Sequence, residues 1–171
     1  MLAKELTGLE VLGIAIRSEQ DAQNIYREIA DKVSCPRAKE RFHLLVAEEQ
    51  QHEALLTRKY KELYPEVPLA LPPSQLPQAA STSELRNCLT LLEVLGLAIR
   101  EERHSRDLYL EACDRLEDLT GKSMLKYLAD MEYAHMMSLN AEYDMLVKYP
   151  NYYEGITEPW KGELGLRKEK L

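Results

Sequence analysis

The chain has 171 residues, enough for one domain that buries about 70% of the surface its unfolded form would expose. Its 22 Lys and Arg against 29 Asp and Glu leave a formal charge of −7, which opposes a nucleic-acid surface or a polybasic membrane contact and favours small molecules, metals or proteins as partners. Cys35, Cys88 and Cys113 are scattered without a Cys-x-x-Cys, so neither a disulfide framework nor a cysteine metal site is indicated, and reduced thiols in a cytoplasmic protein are expected.

The N-terminal string "MLAKELTGLEVLGIAI" superficially resembles a signal peptide, but Glu10 interrupts its apolar run. It also recurs internally as "LTLLEVLGLAI" from Leu89 to Ile99, which marks it as a core helix. No uncharged apolar run reaches the roughly 18 residues of a membrane span. The first helix is expected from about Leu6 to Val33, followed by a break at "VSCPR", with Pro36 suited to the first turn of a second helix that runs to about Leu63. The next stretch, "YPEVPLALPPSQLPQAAST", holds five of the eight prolines and cannot continue as helix. Ser83, or a neighbour in "STSE", is the expected N-cap of a third helix reaching about Leu116. "LTGKS" then serves as a turn that opens a fourth helix, ending near Lys148 before Pro150. Residues 149–171 carry proline, glycine and aromatic punctuation, so this irregular tail is expected to drape on the bundle or on a partner.

Shifting the chain by 83 residues aligns Leu6–Glu28 with Leu89–Glu111 at 13 identities in 23 positions. The same shift carries Lys39–Leu63 onto Lys122–Leu146 with 7 identities in 25, and these include Glu49 with Glu132, His52 with His135 and Tyr60 with Tyr143. The reading is an all-α protein in which residues 1–148 form an antiparallel four-helix bundle of two helix-hairpin repeats, about 6–63 and 89–146. A long, proline-rich central crossover at about 64–83 is the expected join. A helix of about 28 residues is about 42 Å long and some 20 extended residues reach about 60 Å, so a lengthwise crossover is permitted; a loop folded over one end also fits.

Each of the four histidines has a glutamate three residues before it, so Glu-x-x-His spacing alone decides nothing. Helical direction separates them. At about 100° per residue, Glu49 and His52 share a stripe with Phe42, Leu45, Val46, Leu56 and Tyr60, and Glu132 and His135 share one with Leu125, Leu128, Leu139 and Tyr143. Glu40 and His43 lie on the opposite face. Neither they nor Glu101 and His104 recur as Glu-x-x-His under the shift, and all four are expected at the solvated surface. Glu19 faces inward with Leu12, Ile16, Gln23 and Tyr26, and Glu102 with Leu95, Ile99, Arg106 and Tyr109. Glu10, Glu28, Glu93 and Glu111 repeat too, but point outward.

Depth agrees with direction. Glu19, Glu49 and His52 all fall about 20 Å from the first turn at 1.5 Å per residue, and Glu102, Glu132 and His135 fall at a similar distance from the second. Four buried carboxylates without counter-charge would each cost several kcal/mol or undergo large upward pKa shifts. Two divalent cations would cancel four carboxylates beside two neutral imidazoles, and an oxygen-rich set with one nitrogen per metal suits iron or manganese, with zinc able to substitute. A metal-free polar core network is the alternative.

At these residues the sequence resembles the ferritin-like di-iron carboxylate superfamily, in particular its rubrerythrin-like branch without a rubredoxin domain. The resemblance covers about residues 6–148 and implies a ferritin-like bundle in which Glu49 and Glu132 bridge two irons, Glu19 and Glu102 are terminal ligands, and His52 and His135 each bind one metal. It further implies that Tyr26 and Tyr109 support the ligands, core packing being their other reading. Rubrerythrins carry an additional glutamate three residues after the third-helix ligand; here that position is Ser105. The ligand set is in this respect closer to that of bacterioferritin, although no fifth amphipathic helix is evident. The activity implied is that of an oxidoreductase of peroxidase or ferroxidase type, reacting with dioxygen or hydrogen peroxide and drawing electrons from a separate donor protein; a homodimer is compatible with it. A non-enzymatic iron-binding or storage protein and a metal-free interaction bundle are the other classes that the residues allow.

Overall fold

A computed structural model of the chain describes residues 7–74, 88, 90–150, 152 and 153. Four helices account for most of them: α1 (Gly8–Lys32), α2 (Pro36–Leu63), α3 (Leu91–Arg115) and α4 (Leu119–Lys148). α1 pairs with α2, α3 pairs with α4, and the two hairpins meet chiefly through α1 and α3. Among the described residues there is no strand, and no helix is long and apolar enough to cross a membrane.

Each odd helix starts on the same device. Thr7 accepts a hydrogen bond from the Glu10 backbone N–H (3.3 Å), while its own N–H donates to Glu10 Oε2 (2.8 Å). Thr90 and Glu93 repeat these bonds at 3.2 and 2.9 Å. These are capping boxes, which satisfy two orphan donors reciprocally. They correct the expected start of the third helix: Thr90 is its N-cap, while Ser83 lies outside the described residues. They also explain why the outward Glu10 and Glu93 are repeated. Pro36 occupies the first turn of α2, where its missing N–H costs nothing. A second correction concerns "LTGKS", which is the first turn of α4 and not a connection. The helical run is interrupted at residues 116–118, and Asp118 caps α4 by accepting from the Gly121 N–H.

The core is divided into two apolar clusters. One gathers Leu12, Ile16, Leu56, Tyr60, Tyr109, Leu125 and Leu128, and the other Tyr26, Ile29, Phe42, Leu45, Leu95, Leu97 and Leu139. Tyr64 and Leu116 crowd Gly8 at one end, where a Cβ would lie 2.7 Å from each. Cys88 instead lines a cavity with Val33 and Cys35 at the opposite end. The two ends of the connection from α2 to α3 therefore lie at opposite ends of the bundle, a span that a loop folded on one end cannot make. The first part of the connection packs Leu69 and Leu71 on the core and passes Gly13, where a Cβ would stand 3.4 Å from Pro72 Cδ.

α2 and α4 are tied by polar side chains near both ends. Buried Lys59 reaches Asp118 at 3.1 Å, and Arg41 donates to Glu142 at 2.8 Å and to Ser138 at 3.1 Å. Of the tail, Tyr152 and Tyr153 pack against the second cluster, and the Tyr153 hydroxyl donates to Glu142. Residues 154–171 lie outside the described residues.

Candidate metal centre

A polar layer sits between the two apolar clusters. Glu19 comes from α1, Glu49 and His52 from α2, Glu102 from α3, and Glu132 and His135 from α4, and all six are at most 5% exposed. They form two overlapping groups, Glu19, Glu49, His52 and Glu132, and Glu49, Glu102, Glu132 and His135, each with its ligand atoms within 4.8 Å of one another. Glu49 and Glu132 belong to both. His52 Nδ1 lies 2.8 Å from Glu49, 3.2 Å from Glu132 and 3.7 Å from Glu19. His135 Nδ1 lies 3.4 Å from each of Glu49, Glu102 and Glu132. The two imidazoles stack, with centroids 5.6 Å apart.

The tyrosines complete a reciprocal arrangement. Tyr26 of α1 donates its hydroxyl to Glu102 of α3, and Tyr109 of α3 donates to Glu19 of α1. Each apolar cluster thus sends one phenol to the carboxylate of the other hairpin. Burial pushes both phenols well above the usual tyrosine range, and the charge of Glu102 or Glu19 adds to it.

The carboxylates do not titrate alike. Glu19 and Glu102 are pushed well above the usual range, first by burial and further by Glu132 and Glu49, against the opposing influence of the nearby His52 and His135 imidazoles. For Glu132 burial acts upward, but the imidazoles of His135 and His52 beside it outweigh burial and bring the group to about 2. Burial would lower both imidazoles, yet the surrounding carboxylates raise His52 and push His135 up to about 12. The layer therefore has a strong demand for positive charge.

A family model described as Rubrerythrin matches residues 10–143. The chain belongs to the rubrerythrin family. Two solved structures share its fold. A hypothetical protein from Pyrococcus furiosus is 29% identical over 84% of this chain and 92% of its own, with a TM-score of 0.68. A Thermotoga maritima protein assigned as a ferritin-like diiron-carboxylate protein is 25% identical over 84% of this chain and 98% of its own, also at 0.68. No curated protein matches the chain.

Iron, the metal of diiron-carboxylate proteins, fits this rubrerythrin-family donor set. Glu49 Oε1, Glu132 Oε1 and His135 Nδ1 are buried without a hydrogen bond, an unfavourable state for three polar atoms that a cation would relieve. The decoys fall elsewhere. Glu40, His43 and His104 are exposed as expected, whereas Glu101 is half-buried. Ser105 is buried beside the layer and supplies no carboxylate. Sequence reasoning missed Gln23, which donates to the Glu49 carbonyl at 3.4 Å and to Glu53 at 2.7 Å. It also missed Glu48, 3.1 Å from His135 Nε2. Gln23 was in view as a companion of Glu19 on the inward face, a sign that could have marked it; Glu48 gave no such signal, because its partner is on another helix.

Proposed function

We propose that Glu19, Glu49, His52, Glu102, Glu132 and His135 hold two iron ions, with Glu49 and Glu132 shared, and that the protein is an oxidoreductase reacting with dioxygen or hydrogen peroxide. The observation that carries this reading is the pair of ligand groups that overlap in those two glutamates. Manganese suits the same donors, and zinc can replace either. Bound iron would supply the electrons that reduce the oxidant and the Lewis acidity that polarises it.

The protein's own contribution is positioning and exclusion of water. Tyr26 and Tyr109 orient the Glu102 and Glu19 carboxylates from opposite sides. The apolar clusters on both sides of the layer limit solvent, so the ligands keep their geometry in a low-dielectric setting. With no Cys-x-x-Cys in the chain, re-reduction falls to a separate donor protein, and the cytoplasm is the compartment proposed.

Stopped-flow mixing of the iron-loaded, reduced protein with hydrogen peroxide tests this reading. Rapid oxidation with many turnovers in the presence of a reductant is expected. Slow oxidation with accumulation of many irons per chain would replace it with a storage function.

A further inference from the structure

His135 is approached from both sides of its ring. Nδ1 faces the shared layer, 3.4 Å from Glu49, Glu102 and Glu132, while Nε2 lies 3.1 Å from Glu48 Oε2. Glu48 Oε2 and the His135 Nε2 opposite it are both buried and neither makes a hydrogen bond elsewhere or, in the metal-free geometry, to the other, although the Glu48 side chain as a whole is 43% exposed. The other half of the molecule lacks this arrangement. Under the 83-residue shift Glu48 becomes Met131, whose thioether is at best a weak acceptor. Among the described residues, every carboxylate that approaches His52 does so at Nδ1.

A neutral imidazole that binds a metal through one nitrogen carries its proton on the other. A carboxylate accepting that proton fixes the tautomer and ring plane and makes the ligating nitrogen more basic. We infer that Glu48 is a positioning residue for His135, and that its absence from the other half makes the two metal positions unequal, the His135 position binding more tightly. This rests on the two-metal reading above.

Anaerobic calorimetric titration of the metal-free full chain with manganous ion separates the two claims. Wild type is expected to bind two ions in two resolved steps. E48Q should weaken the tighter step by about 10-fold and leave the other within about twofold, the loss typical when a ligand's outer partner is removed. M131E, which supplies the missing carboxylate on the His52 side, should narrow the gap between steps. Thermal melting of each metal-free variant checks folding. Two equal sites in wild type, or an E48Q that shifts both steps alike or neither, would overturn the inference while leaving the two-metal centre standing. No ion bound by folded wild type would overturn the centre itself.

Discussion

Glu49 and Glu132 occupy the apolar stripes of α2 and α4, where a leucine would stabilise the metal-free bundle better than a buried carboxylate. The sign of a substitution in their layer depends on metal. In the same layer burial pushes the Glu19 and Glu102 carboxyls upward, so E19Q or E102Q exchanges a carboxyl that resists ionisation for a neutral amide of the same shape, and the metal-free protein should be about as stable as wild type or more so. With excess manganous ion the order should reverse, because wild type alone retains the full stabilisation by two bound ions, about 2.7 kcal/mol per site at a hundred times the dissociation constant. Thermal melts with and without metal check this crossing. Y26F and Y109F each remove one phenol from one terminal carboxylate, and each should weaken metal binding about 10- to 100-fold, read by the same titrations. The six inward side chains were legible because helical period fixes direction, rise fixes depth, and internal duplication supplies a second copy of both. Glu48 was not legible, since the stripe of α2 alone assigns it no inward role and its partner His135 comes from α4.

Helix ends were read less well than helix faces. The duplicated string aligns Thr7-x-x-Glu10 with Thr90-x-x-Glu93, two capping boxes 83 residues apart, yet the polar cluster "STSE" drew the expected N-cap upstream to Ser83. A cap is set by a few local hydrogen bonds, and several serines and threonines compete for the role within a few residues. T7A and T90A should each cost about 1 kcal/mol, seen as a fall in Tm of about 2–4 °C. Asp118 likewise fixes the start of α4, and its carboxyl is held below the ordinary 3.8 by the Gly121 N–H and then by Lys59. A depressed folded-state value means that its contribution is present above the unfolded value and lost as pH falls through the folded one. Urea melts should therefore show wild type exceeding D118A at neutral pH, with part of the gap closing below pH 3.8; a gap constant across that range would contradict it. Lys59, raised above 10.5 by Asp118 and Glu62 despite burial, also stabilises but with the opposite pH dependence, its share fading only as pH rises past that value.

At the scale of the whole molecule, the four-helix arrangement followed from the repeat, the proline-rich join and the turn between hairpin helices. A lengthwise crossover was the expected path of the join, although chain length alone permits a folded loop as well. Packing decides it: Tyr64 lies by Gly8, and Cys88 lies by Cys35 at the other end. α2 and α4 come from different hairpins, and the polar layer joins them midway between Lys59–Asp118 and Arg41–Glu142. A metal pair there would tie the two halves of the duplication together, so metal loading should raise Tm and slow hydrogen exchange in α2 and α4 together. The most direct test is anaerobic titration of the full-length, metal-free protein with ferrous ion, followed by metal analysis. The account predicts two tightly held irons per chain in wild type and none in the folded E49A/E132A double variant. A folded wild type that retains no iron, or a double variant that retains both ions, would contradict it.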